Sequence, residues 1–145
     1  MPPKTIKFEI VTPERVVFAG EVLQATIPTK EGEVTILPDH IPLISILIPG
    51  VIEIKTKEKN KEIAAVSGGF VEVTKDKIVV LADTSEKAEE INIEKAEEAK
   101  RRAEEIKKEI IHKDDIRFAE MSSKIEKEFA RSSAVKRWRK IKKLN

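Results

Sequence analysis

Every glycine in this chain lies at or before Gly69, and every proline at or before Pro49. No other feature restricts the fold as strongly. Glycine and proline punctuate strands and turns, and both are poor inside helices. Valine and threonine follow the same division. Nineteen of them lie between Met1 and Glu86, and only Val135 comes later. A β-favouring first part therefore gives way to a helix-favouring second part. The change falls within LADTSEKAEEIN, residues 81–92. The expected division is residues 1–86 and residues 87–145, an α+β chain in two parts.

In the first part, IKFEIV places Ile6, Phe8 and Ile10 on one face, and VIEIK alternates Ile52 and Ile54 with Glu53 and Lys55. FVEVT, then Lys75–Asp76, then KIVVLA reads as a hairpin. Further strands are expected at 15–22, 23–28, 33–37 and 62–67. Short strands so closely spaced predict an antiparallel β-sandwich or flattened barrel. Gly68–Gly69, between two such strands, reads as a bulge or tight corner.

In the second part the period changes. Ala96, Ala99, Ala103, Ile106 and Ile110 recur at helical spacing, as do Phe118, Met121, Ile125 and Phe129. HKDD, residues 112–115, breaks the two, with Asp114 or Asp115 as N-cap. An antiparallel helical hairpin is predicted, with both stripes as ordinary core and alanine making a shallow seam.

Several function classes drop out. Phosphate-loop, nucleophile-elbow and HExxH patterns are absent. With no cysteine, and with His40 and His112 in different parts, no metal site is expected. No run approaches the ~20 apolar residues of a membrane span, and the first residues show no leader pattern. Charge, however, is uneven: residues 1–86 carry net −3 and residues 87–145 net +5. Residues 131–145 hold seven basic groups and no acid, around Trp138. Such a tail suits nucleic acid, an anionic membrane surface or an acidic protein surface. The residues alone leave these open, beside a plain solvated helix end.

One stretch, EGEVTILPDHIPLI at 31–44, interrupts strand-like chemistry with Pro38, Asp39, His40 and Pro42. With LIPGVIEI (47–54), VSGGFVEV (66–73) and VLADTSEKAEEIN (80–92), it forms an ordered set. This set resembles the ε subunits of bacterial F-type ATP synthases, and the likeness spans the chain. Thr35 departs from it, standing where many members have glycine.

The resemblance implies a non-catalytic central-stalk subunit that couples the rotor to the catalytic head in proton-driven ATP synthesis. The β-sandwich would bind the γ subunit and the c-ring, with Glu31, Glu33, Asp39 and His40 facing the c-ring. Pro38 and Pro42 would rigidify that loop, lowering the ordering cost of binding. The helical hairpin would either fold on the sandwich or extend toward the α and β subunits. Extended, it would inhibit ATP hydrolysis, its basic residues Arg131, Lys136, Arg137, Arg139, Lys140, Lys142 and Lys143 meeting an acidic loop of the β subunits. Some members bind ATP through I/L-D-x-x-R-A. Here Ile91, Asn92, Lys95 and Ala96 occupy that frame, so a carboxylate and a bidentate guanidinium are both replaced. The expectation is no cofactor and no tight ATP site. Membrane contact is expected only through the complex, on the cytoplasmic face of a bacterial plasma membrane. The alternative, from the tail alone, is a nucleic-acid or anionic-surface binding module; the resemblance implies no nucleic acid.

Overall fold

The computed structural model describes residues 3–110 and 114–143. Seven strands precede two helices: β1 (Ile6–Val11), β2 (Val16–Thr29), β3 (Gly32–Ile36), β4 (Leu43–Ile46), β5 (Gly50–Thr56), β6 (Lys61–Val73) and β7 (Lys77–Lys87), then α1 (Ile93–Glu109) and α2 (Asp115–Lys143). A 3-10 turn, Ala88–Glu90, links β7 to α1.

Two long strands turn a sheet into a sandwich. β2 pairs with β1 through its first half and with β3 and β5 through its second. β6 pairs with β5 at one end and β4 at the other, with β7 alongside. Both strands thus pass between layers, as corner strands do at bulges and bends. The expected breaks at 22/23 and 67/70 are therefore not strand ends. The first is a register shift between Val22 and Gln24 inside β2. The second is the Gly68–Gly69 corner inside β6, where φ is +70° and +108°. Pairing is antiparallel except between β1 and β7, which run parallel.

The core is built by alternation. Ile6, Phe8 and Ile10 are buried from β1, Ile52 and Ile54 from β5, and Val71, Val73, Ile78 and Val80 from β6 and β7. Phe8 and Phe18 meet with ring centroids 5.7 Å apart. The Lys75–Asp76 hairpin forms as expected, closed by Thr74 N–H to the Lys77 carbonyl at 2.8 Å. Thr35 keeps regular register, its hydroxyl 2.9 Å from that of Thr26 across the strand pair.

A second core lies outside the sandwich. Ile63, Ala64, Ala65 and Val66 are buried in succession, so this part of β6 is covered on both faces. Val51, Ile63 and Ala65 meet Ala88, Ile91, Ile93, Ala96, Ala134 and Val135, with Trp138 and Ile141 at the margin. The helices are antiparallel. Glu97 reaches Ser132, Lys100 lies over Phe129, and Lys107 over Phe118.

Caps start both helices. The Asn92 side chain accepts Lys95 N–H at 3.0 Å, and Asp114 accepts Arg117 N–H at 3.0 Å. Asp115, the other cap candidate, is the first residue of α2, and His112 and Lys113 lie outside the described residues.

The second apolar stripe is not ordinary core. Phe129 is 58% exposed and Phe118 47%, while Glu128, Ala130, Ser132, Ala134 and Val135 are buried. Small residues face the sheet because α2 lies close to it. The aromatics face α1, where lysine ammonium groups cover their rings at 4.9 and 4.6 Å. Ala96 and Ala103 of the first stripe are buried, whereas Ile106 is exposed, so the seam opens away from the sandwich.

Gly69 permits the β6 corner: a Cβ there would collide with the Leu81 carbonyl. Gly69→Ala is expected to cost at least about 1–3 kcal/mol through backbone strain alone. Urea unfolding followed in the β-sheet circular dichroism band checks it.

Candidate partner-binding surfaces

The stretch 31–44 supplies a strand, a rigid turn and the approach to another strand. β3 leaves the two-residue turn Lys30–Glu31, which Thr29 braces by donating to the Gly32 carbonyl at 2.6 Å. Beyond β3, Pro38 occupies the second position of a turn closed by His40 N–H to the Leu37 carbonyl, 3.3 Å. Asp39 occupies the third, with φ +65°. Proline followed by a left-handed residue is the pattern of a type II turn. Lys4 Nζ donates to Asp39 Oδ2 at 2.8 Å and holds that carboxyl below its ordinary value. His40 Nδ1 lies 2.6 Å from the Ile41 carbonyl and so carries the proton there.

The four polar residues do not form one cluster. Glu31 and Glu33 sit at the start of β3, beside the end of β4, where Lys30 N–H reaches the Ile46 carbonyl. Asp39 and His40 lie beyond the other end of β3, near Lys4 and Lys75. The strand between them rises about 3.3 Å per residue, so they lie beyond opposite ends of β3.

Sequence reading fastened on these polar groups and missed the apolar ones. Along β4 and just past it, Leu43, Ser45 and Leu47 turn inward, while Ile44 (75%), Ile46 (57%) and Ile48 are exposed. Register extends this face across the sheet: Ile46 pairs with Phe70, Phe70 with Leu81, Leu81 with Val11, and Val11 with Val16. Directly paired residues share a face. One apolar row thus crosses β4, β6, β7, β1 and β2, and all but the half-buried Val11 are exposed. The available signal was LISILI, apolar at both parities, which marks a strand built to be covered on both faces.

The basic tail divides. Arg131 joins Glu86 of β7 and Glu128 of its own helix. Burial disfavours its charged form, yet hydrogen bonds and charge from Glu128 and Glu86 hold its pKa above the ordinary value. Lys136 meets Glu97 at 3.4 Å and Arg137 meets Glu53 at 3.8 Å. Arg139, Lys140, Lys142 and Lys143 are exposed and make no ion pair among the described residues. Trp138 packs on the second core.

In the frame Ile91, Asn92, Lys95, Ala96, the first and last are buried core, Asn92 is the helix cap and Lys95 is exposed. The linker is tied separately. Arg15 donates to Glu90 through Nη2 at 2.7 Å and Nη1 at 3.5 Å. An open cleft of about 530 Å³ separates the Gly68 corner from the first half of α2, lined by Ser67, Asp83, Ser123, Lys127 and Glu128 among others. No group of acids and histidines able to hold a metal occurs among the described residues, and no described helix is long and apolar enough to cross a membrane.

A small sandwich with a docked hairpin, an apolar row and a basic helix end acts through its surfaces. The sequence profile of the family "ATP synthase, Delta/Epsilon chain, beta-sandwich domain" matches residues 5–88. The ATP synthase epsilon chain of Desulforamulus reducens is 47% identical over 102 residues, covering 70% of this chain and 76% of that one. The epsilon chain of Dehalococcoides mccartyi is 52% identical over 100 residues, 68% and 70% of the two chains. A chain of the Euglena gracilis mitochondrial ATP synthase, solved as OSCP/F1/c-ring, shares the fold with TM-score 0.78 at 23% identity, covering 93% of this chain and 84% of that one. This chain belongs to the family of ATP synthase epsilon chains, stalk subunits of that enzyme and not its catalytic ones.

The Arg15 hydrogen bond holds the Glu90 carboxyl below its ordinary value of 4.5. A depressed folded-state value means the tie stabilises above the ordinary carboxylate range and is lost as pH falls through the depressed value. Arg15→Gln should be less stable than the parent at neutral pH, by no more than about 1 kcal/mol for a half-exposed pair. The difference should vanish in acid; urea titrations across pH check it.

Proposed function

We propose that this chain couples the rotor of a bacterial F-type ATP synthase to its catalytic head, on the cytoplasmic face of the plasma membrane. In this reading the sandwich, residues 1–86, seats against the γ subunit and the c-ring, and the hairpin, residues 87–145, restrains ATP hydrolysis. The apolar row Ile46–Phe70–Leu81–Val11–Val16 carries it, because a face built this way needs a protein cover. We assign that face to γ and the Asp39–His40 and Glu31–Glu33 ends to polar contacts, including those with the c-ring.

The hairpin supports regulation through its chemistry. Its seam with the sheet is mostly alanine and valine, a contact of modest burial. Arg139, Lys140, Lys142 and Lys143 are left for an acidic partner, which this reading places on the catalytic β subunits. Engagement of Arg131, Lys136, Arg137 and Trp138 within the fold favours this over nucleic-acid binding, which would need those groups available. Use of the Asn92 side chain as a cap likewise speaks against a tight nucleotide site and for no cofactor.

Phe70→Glu with Leu81→Lys should leave the isolated chain folded, since both side chains are exposed, and prevent co-purification with γ. Retention of a stoichiometric complex by this variant rules out the row as the γ seat.

Truncation after Glu90 keeps all seven strands and the Arg15 tie. In the assembled enzyme it should raise ATP hydrolysis. Replacing Arg139, Lys140, Lys142 and Lys143 by alanine preserves helix propensity and should raise hydrolysis part of the way. Together four exposed pairs at about 0.2–1 kcal/mol each suffice to move a balanced equilibrium. If truncation leaves hydrolysis unchanged, the inhibitory role fails.

A further inference from the structure

We propose that Arg131 is the latch that holds the helical hairpin on the sandwich, and that buried Glu128 is what makes the docked state depend on it. The proposal rests on the hairpin being a regulatory element that leaves the sheet. It adds which contact sets that equilibrium.

α2 lies directly on β5 and β6, and α1 lies against α2. Of the ion pairs α2 makes to other elements, Lys136–Glu97 stays inside the hairpin and moves with it. Among the described residues two cross to the sheet: Arg137–Glu53 and Arg131–Glu86. The first is long at 3.8 Å, and its arginine is half-exposed. The second is different. Arg131 Nε lies 3.0 Å from Glu86 Oε1, and Nη2 donates to Glu86 Oε2 at 3.3 Å. The Nε contact is off the hydrogen-bond line, so it is ionic. Nη1 donates to Glu128 Oε2 at 2.8 Å. One guanidinium thus joins the end of β7 to α2 and is shared by two carboxylates.

Glu128 turns this contact into a switch. Its side chain is only 8% exposed, and Arg131 is its single ion-pair partner among the described residues. An acid buried without its cation is strongly unfavourable. While α2 is docked, removing Arg131 strands that charge. Once α2 lifts away, Glu128 meets water and no longer needs a partner. Loss of Arg131 therefore penalises the docked state selectively, while the helix itself is little affected.

The chain carries its own reporter. Trp138 is the only tryptophan, there is no tyrosine, and the indole packs on the second core. In the isolated full chain, Arg131→Gln should red-shift Trp138 emission and raise its quenching by acrylamide, with far-ultraviolet circular dichroism preserved. The docked-to-undocked ratio should fall by about tenfold or more. Adding Glu128→Gln should restore much of the docking, because no buried anion remains unpaired. Parental emission and quenching in Arg131→Gln overturn the latch. So does a double variant as undocked as the single, which would mean that Arg131 acts by packing. If Arg131→Gln undocks the hairpin yet hydrolysis by the assembled enzyme does not change, the latch stands and the regulatory reading falls.

Discussion

The contact of Ala134 and Val135 with Ala65, Ile63 and Val51 is the interaction on which the second part depends. Small side chains on both sides let a helix approach the sheet closely, and for the same reason little apolar area is buried per residue. The sandwich needs no such help. Its core closes on itself through β2 and β6, which belong to both layers, and through the β1–β2 pairing. The chain therefore pairs a self-sufficient body with an appendage held by a thin apolar seam and a few ion pairs. The caps at Asn92 and Asp114 fix where the helices begin, independent of docking. The hairpin can remain helical while its attachment changes.

The same logic links two stretches that look alike in sequence. IAAV in β6 and, Ser45 apart, ISILI around β4 are both apolar at successive positions. Strands of that kind are covered on both faces. For Ile63–Val66 the second cover is α2, and all four are buried. For Ile44, Ile46 and Ile48 nothing among the described residues covers the outer face. The register that joins Ile46 to Phe70 and Leu81 turns one uncovered strand into a broad apolar face. An intramolecular partner in one case argues for an intermolecular one in the other.

Much of the sandwich was legible because one-sided burial writes itself as alternation. Ile6, Phe8 and Ile10, or Ile52 and Ile54, could hardly lie elsewhere. The two-part division followed from glycine, proline, valine and threonine alone. The length of β2 and β6 was not legible. A strand that bends between layers carries its bulge or glycine corner internally, and locally that matches a strand end. Nor was the orientation of α2. Phe118 and Phe129 are the large apolar residues at helical spacing, so they read as core. The face that docks is Ala130, Ala134 and Val135, with Glu128 and Ser132 buried among them. A buried acid defeats pattern reading, because Glu128 is held by Arg131, which is itself tied to Glu86, forty-five residues before Arg131. Of the proposed site residues, Asn92 was recognisable as a cap from its position, whereas the separation of Glu31 from Asp39 required the path of β3.

The distribution of charge on α2 gives this arrangement a direction. An ideal static helix would spend its cations on the nearest acids, and three of the seven basic groups from Arg131 onward do so. The four at the far end make no ion pair among the described residues; Lys142 lies among Lys61 and Lys87 as well as Glu62 and Glu89, so the charge around it is mixed. Among the described residues no ion pair fastens the tip, while Arg131 fastens α2 near its middle. Undocking should therefore begin at the Lys143 end and stop at Arg131 unless that pair also breaks. An external acidic surface that engages the tip first would meet cations with nothing to give up. It would need to supply only the energy to release Arg137, Trp138 and finally Arg131. Exposed pairs contribute about 0.2–1 kcal/mol each, and a full reversal of population takes about 5.5 kcal/mol. Tip contacts alone fall short of that reversal, so the Arg131 pair decides whether a tethered tip becomes an extended hairpin.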